Sequence, residues 1–479
     1  MREEPGTIAQ NSKAVEFSED FDVVVIGGGN AALVAAMSAR HYVKRVLVLE
    51  RAPYEVRGGN TRHTRNIRCI HPSADAYNTG SYLYDELWDD LCRVGSGPSD
   101  ERLAELTVCE SESVPGWMSE HGIHWQAPLS GTLHLGRTNR FFLGGGKALL
   151  NTYYRTLSAM SIDVSYSSSV EGFVDEGDRI THLLVEVNGK RTKVGAKAVV
   201  CASGGFEANF DWLARYWGPS AYNYLIRGPI YNDGTVLSLL YDLGAARAGQ
   251  ERGFHAVAID ARSPRFDGGI ATRIDAIPFS VVLNRHAERF YDEGEDLWPK
   301  RYAIWGTNIA LQDGQIAYAI WDSKVVREFL PPMYGPTRSA TLAGIANAVG
   351  LSAERLERTI LEYNAAIVKG TPFDPTRLDG AHTSGLEPEK TNWALPIDQP
   401  PYYAIAMRPG ITFTYMGVKI DGSARIQRED GSHFANVFAA GEMMSGNVLS
   451  SGYLAGFGLT IGSVWGRIAG REAARYVSN

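Results

Sequence analysis

The stretch FDVVVIGGGNAALVAAMSARHYVKRVLVLE, residues 21–50, decides the fold. Its opening FDVVVI is an apolar, β-branched run that reads as a buried strand. NAALVAAMSARHY is rich in helix formers, and RVLVLE reads as a second strand ending in an acid. Strand, helix and strand in so short a span make a βαβ unit. The turn into the helix carries Gly27-x-Gly29-x-x-Ala32. Gly27 admits the tight turn, Gly29 lets a pyrophosphate approach the backbone, and Ala32 lets helix and strand pack closely. Asn30 and Ala31 open the helix, whose N-terminus then faces the phosphates. Glu50 ends the second strand, with Arg51 behind it, where a carboxylate can accept hydrogen bonds from ribose hydroxyls.

The other end of the chain selects the dinucleotide. ANVFAAGE, residues 435–442, reads as a strand running into a tight turn at Gly441 and Glu442, followed by the helical GLTIGSVWGRIAGREAARYV. That is the second half of a flavin site, in which Gly456, Gly458 and Leu459 set a helix N-terminus toward the flavin N1 and C2 carbonyl. Gly458, Gly462, Gly466 and Ala469 predict close packing of this helix on backbone or cofactor.

Composition bounds the rest. The 479 residues are 44% hydrophobic and 21% charged, enough for a large core and for two domains. A net charge of −7 argues against a nucleic-acid partner. The first twenty residues are polar and mixed in charge and read as a flexible tail rather than a signal peptide. No apolar run reaches the roughly 18 residues of a membrane span, so direct membrane insertion is not expected. Cys69, Cys92, Cys109 and Cys201 lack CxxC spacing, which suggests a reducing, cytoplasmic setting and no metal site.

Beyond the two ends, RGGNTRHTRNIR (57–68), LSGTLHLGRTNRFFLGGGKAL (129–149), AVVCASGGFEAN (198–209), RFYDEGEDLWPKRYAIWG (289–306), RPGITFTYMGVKID (408–421) and FAAGEMMSGNVLSSGYLAGFGLTIGSVWGRIAG (438–470) are distinctive. Together they resemble the flavoprotein superfamily of fumarate reductase and succinate dehydrogenase, and within it the tricarballylate dehydrogenases. The resemblance implies an α/β protein: a Rossmann-type FAD-binding domain at 21–253 and 410–479, with an inserted α+β capping domain at 254–409. It places Gly58, Gly59, Asn60 and Thr61 in a loop that meets the FAD, and Ala202, Ser203 and Gly204 in a second. Asn60 occupies the position of the histidine that bonds covalently to FAD in succinate dehydrogenases, so the flavin is expected to be non-covalent.

Oxidation of CH–CH to C=C beside carboxylates needs carboxylate anchors, a base for the α-hydrogen and a hydride acceptor. Arginine forks suit the first need. Arg62, Arg65 and Arg68 cluster after the flavin loop, and Arg140, Arg227, Arg273, Arg301 and Arg408 lie in or near the resembling segments. The resemblance assigns a substrate carboxylate to His255, substrate contact to Thr272 and proton transfer to Arg301; a free arginine is a poor base and needs a neighbouring carboxylate or relay, for which Glu293, Glu295 and Asp296 are the nearby candidates. The chain also departs from the fumarate reductase pattern. Arg273 and Ala276 replace a Glu and an Arg of the proton path, Phe413 replaces a second substrate histidine, and Tyr453 replaces a second arginine. Arg273 in place of a glutamate suits a third substrate carboxylate, while Tyr415 and Tyr453 offer hydroxyls for substrate or proton. The expected reaction is tricarballylate to cis-aconitate. The alternatives are another carboxylate or biosynthetic intermediate, or a non-catalytic FAD-binding subunit. With no iron-sulfur cysteines and no second dinucleotide fingerprint, the resemblance implies a membrane-bound electron-transfer protein as acceptor, which would hold the chain peripherally at the inner membrane.

Overall fold

The computed structural model describes residues 17, 20–95, 99–128, 135–449 and 451–479. The expected tail and the start of the 129–149 segment lie almost wholly outside them. The fingerprint folds as strand β1 (Phe21–Ile26), helix α1 (Asn30–Arg40) and strand β2 (Val46–Leu49). Every residue of β2 and nearly all of β1 is buried, as expected of a parallel strand covered on both faces.

β1 lies between β2 and the long strand β3 (Lys190–Cys201), parallel to both. Beyond β3 comes the strand His433–Ala439, also parallel, and beyond β2 comes Asp163–Ser165. The register sets Ile26 opposite Cys201 and Leu49, and Cys201 opposite Ala439. The carboxyl ends of four strands are therefore level, and the loops that follow them converge on one edge, where open α/β sheets bind ligands. Helix α2 (Phe457–Ser478) covers the sheet and packs on α1. A Cβ on Gly466 would lie 2.7 Å from Ala31 O, and one on Gly470 2.1 Å from Ala35 O. Gly466, one of the expected small-residue positions, thus serves helix–helix contact, as does Gly470.

A second sheet and two further apolar clusters are built mostly from the residues between the two halves of the parallel sheet. At the centre of this second sheet is a thirteen-residue strand, Tyr402–Thr414, paired antiparallel with β4 (Phe254–Asp260) and with Ala317–Trp321, and parallel with Leu225–Ile226. This strand, β5, runs through the expected boundary at 409 and 410 without a break. His255 pairs with Phe413 but Ala256 pairs with Ile411, so Thr412 is an extra residue in a bulge. Bulges re-aim side chains, and this one lies at the cleft. The last strand of the parallel sheet, His433–Ala439, follows as β6. Among the described residues no helix is long and apolar enough to cross a membrane, no group of His, Cys, Asp and Glu could hold a metal ion, and the four cysteines are unpaired.

Candidate active site

One continuous cleft runs from Glu50 and Arg51, past Gly27–Asn30 and the loops at 59–61, 202–204 and 441–442, to a deep end lined by Arg65, Arg227, His255, Arg273, Tyr302 and Tyr453. At the Glu50 end each glycine of the turn has its own reason. Gly27 has a φ of +116°, and a Cβ there would fall 2.3 Å from Ala202 O. The turn therefore packs against the loop after β3. Gly28 lies against Glu50 and the Tyr154 hydroxyl, where a Cβ would overlap the carboxylate. Gly29 faces open space, with nothing closer than Thr61 Oγ1 at 3.4 Å. A pyrophosphate can lie there, against first-turn amides that lack helical acceptors. Glu50 is buried and accepts from the amides of Ala52 (2.8 Å) and Gly58 (3.3 Å). Burial raises its pKa. Arg51 pairs with Asp233 at 2.6 Å.

Two predicted cofactor residues do not line the cleft. Ala32 is fully buried in the sheet–helix core. Gly58 holds a left-handed conformation behind Leu150 and presents its amide to Glu50. Asn30 lines the cleft but also clasps the helices: its amide donates to Thr61 Oγ1 (3.0 Å) and its Nδ2 to Ser463 Oγ (3.0 Å) and Leu459 O (3.3 Å).

The middle of the cleft is built on Asn60. Its Nδ2 donates to Glu207 Oε1 (2.6 Å) and to Thr412 O (2.6 Å), the carbonyl of the bulge. Glu442 accepts from the Thr414 amide at 2.9 Å. Burial, and then the facing Glu207 carboxylate, hold Glu442 protonated well above the usual carboxylate range. Gly456, in a left-handed conformation, starts α2 beside Gly458 and Leu459, and all three line the cleft. These donors, glycines and helix ends fit FAD, which supplies a two-electron hydride acceptor or donor when bound.

The deep end is a cage of cations. Arg227 donates to Gly269 O (3.0 Å) and Thr412 Oγ1 (2.8 Å), so the bulge residue ties Asn60 to a substrate-side arginine. Among the described residues neither Arg65 nor Arg227 forms an ion pair with a carboxylate. Burial, with Arg273 nearby, pulls the pKa of each down to about 10. Arg273 differs: it grips Asp275 through two hydrogen bonds of 2.6 and 2.9 Å, and Trp298 Nε1 donates to the same carboxylate at 2.7 Å. The expected gain of charge at Arg273 is thus offset by Asp275. His255 stacks on Tyr453 with centroids 3.9 Å apart. Burial, then Arg227 and Arg273, drive its pKa well below the usual value, so the imidazole is neutral.

The other predicted substrate and catalytic residues lie outside the lining. Arg301 is partly exposed and bound to Glu295 (2.6 and 2.8 Å) and Tyr291 (2.8 Å). Tyr415 is buried and donates to Gly452 O. Thr272 turns its hydroxyl to Gly269 O (3.4 Å), and Arg408 reaches Gly314 O (3.1 Å). Arg140 binds Asp75 and Asn78. Conversely, the cleft contains Tyr302 and Phe413, and Arg227 takes a place that no motif had singled out. The one signal for Arg227 was its nearness to a resembling segment.

Comparison with known proteins agrees with this geometry. The FAD binding domain family model matches residues 22–459. A probable fumarate reductase of Shewanella frigidimarina is 26% identical over 486 residues, covering 98% of this chain and 77% of that protein. The 4-oxocyclohexanecarboxylate 2-dehydrogenase of Sinomonas cyclohexanicum is 24% identical, covering 95% and 93%. The open conformation of a flavocytochrome c3 fumarate reductase superposes with a TM-score of 0.73 at 21% identity, covering 96% of this chain and 79% of that one. The chain belongs to the FAD binding domain family, and FAD is its cofactor.

Proposed function

We propose that this protein is an FAD-dependent oxidoreductase that interconverts CH–CH and C=C in a substrate with at least two carboxylates, and that tricarballylate and cis-aconitate are its specific pair. The observation that carries the reading is the cage of buried Arg227 and Arg273 and half-buried Arg65 at the deep end of the cleft, of which Arg65 and Arg227 form no ion pair with a carboxylate among the described residues. Guanidinium groups withdrawn from water are costly unless an anion pairs with them, and two carboxylates of a substrate would do so. The relatives support the chemistry, since they include enzymes named for reducing fumarate and for dehydrogenating a cyclic carboxylate. In this reading the arginines hold the carboxylates, neutral His255 donates to one of them, and Tyr453 fixes the imidazole by stacking. Electrons pass onward to a separate membrane-bound electron-transfer protein.

Anaerobic addition of tricarballylate to the yellow protein tests the reading. Bleaching of the flavin is expected, as is reoxidation of the chemically reduced protein by cis-aconitate. Bleaching by succinate alone would move the substrate to the dicarboxylates. No spectral change with any di- or tricarboxylate in either direction would refute an enzymatic role and leave a non-catalytic FAD-binding subunit.

A further inference from the structure

We propose that Tyr302 is the residue that carries the proton at the substrate α-carbon. The inference rests on the carboxylate reading above and adds the group that completes it. A proton carrier must face the reacting atoms and have an uncommitted donor or acceptor. Arg301 turns outward into its pair with Glu295. The Tyr415 hydroxyl is spent on Gly452 O, and the Tyr453 oxygen is anchored to the start of α2 by the Gly458 amide at 3.0 Å, its ring held flat against His255 with centroids 3.9 Å apart. Tyr302 lines the deep end of the cleft, and among the described residues nothing hydrogen-bonds its phenol oxygen. Its ring is fixed edge-on to His255 (5.7 Å) and lies under the Arg273 guanidinium (4.8 Å).

In oxidation the α C–H bond breaks, its proton passes to the Tyr302 phenolate oxygen and its electron pair forms the C=C bond, while a bound flavin would take up the hydride of the adjacent carbon. In reduction the phenol O–H bond breaks and that proton ends on the α-carbon. The charged groups facing the phenol are Arg273, Arg227, Arg65 and Arg68, with neutral His255 and Tyr453 beside them. Burial raises the pKa of Tyr302, and the four arginines oppose that rise. At neutral pH Tyr302 is therefore a phenol, set to donate. Reduction of C=C should run on a plateau through neutrality and fall as the phenol ionises, whereas oxidation should quicken with rising pH.

The test compares the flavin-loaded parent with Tyr302→Phe. Binding of succinate and of the nitronate of 3-nitropropionate, which mimics the α-carbanion, is read from flavin absorbance, and turnover with fumarate and cis-aconitate is followed against pH. Tyr302→Phe should bind succinate within about threefold of the parent, lose about tenfold or more of nitronate affinity, slow turnover by about 10²-fold or more, and lose the alkaline limb. Tyr302→His, with a ring that titrates near pH 6.5, should recover part of the rate and move the limb to lower pH. Parent-like turnover and nitronate affinity in Tyr302→Phe would overturn the assignment, as would an unmoved limb in Tyr302→His or a loss of turnover in Arg301→Ala that Tyr302→Phe does not share. If the parent binds no di- or tricarboxylate, the substrate reading itself fails and the assignment falls with it.

Discussion

Asp275 shows how one residue sets the charge of the substrate end. Its carboxylate is buried against Arg273 and Trp298 Nε1. Burial alone would raise its pKa, but Arg273 holds the group below the usual carboxylate range. Removing one partner of a buried pair leaves the other charge uncompensated, at a cost of about 3–5 kcal/mol. Asp275→Ala should therefore lower the thermal midpoint, and tricarballylate should raise the midpoint of the variant more than that of the parent, because the anion fills the vacated charge. Calorimetric scans with and without the ligand check this. An unchanged midpoint would show that Arg273 finds another partner. The proton-transfer site also turns on single residues. Arg301 and Tyr302 are neighbours on a helical turn, where one step rotates a side chain by about 100°. The resemblance assigned proton transfer to Arg301, and packing turns that side chain outward to Glu295 and sets Tyr302 at the cleft.

At the level of elements, the flavin end depends on how closely α1 and α2 approach. Gly470 allows that contact, since a Cβ would fall 2.1 Å from Ala35 O and backbone would have to move. Gly470→Ala should destabilise the protein by about 1–3 kcal/mol, the usual cost of overpacking, and lower its FAD content by shifting two helix N-termini that meet at the cofactor. Thermal melting and the flavin-to-protein absorbance ratio read the two effects. A parent-like melt would mean that the helices part freely. The bulge in β5 is the second element of consequence. The extra residue, Thr412, presents its carbonyl to Asn60 and its hydroxyl to Arg227. No residue type in PGITFT announces it, because a bulge is a property of the pairing between two strands.

For the whole molecule, one strand serves both the inserted sheet and the flavin site, so the cleft is closed by elements distant in sequence. Asn60 illustrates the result: its amide meets Glu207, Thr412 and Glu442. An amide of this kind offers no nucleophile for a link to flavin. We therefore expect acid or heat denaturation to release the cofactor as free FAD. Yellow colour or fluorescence that stays with the denatured chain on a gel would contradict this, and would direct attention to His63, which lines the same cleft and bonds Asp267 at 2.8 Å.

The sequence by itself determined the α/β fold and the FAD end, because those rest on local rules. Gly27, Gly29 and Glu50 act within one βαβ unit whose strand and helix periods are written in consecutive residues. It also named Arg65, His255, Arg273 and Tyr453, which the structure gathers at one end of the cleft. Only the tertiary structure decided which arginines form no ion pair among the described residues, that Asp275 offsets Arg273, and that Tyr302 rather than Arg301 lines the cleft. Each of these is a relation between side chains on different elements, and burial and pairing exist only once those elements have packed.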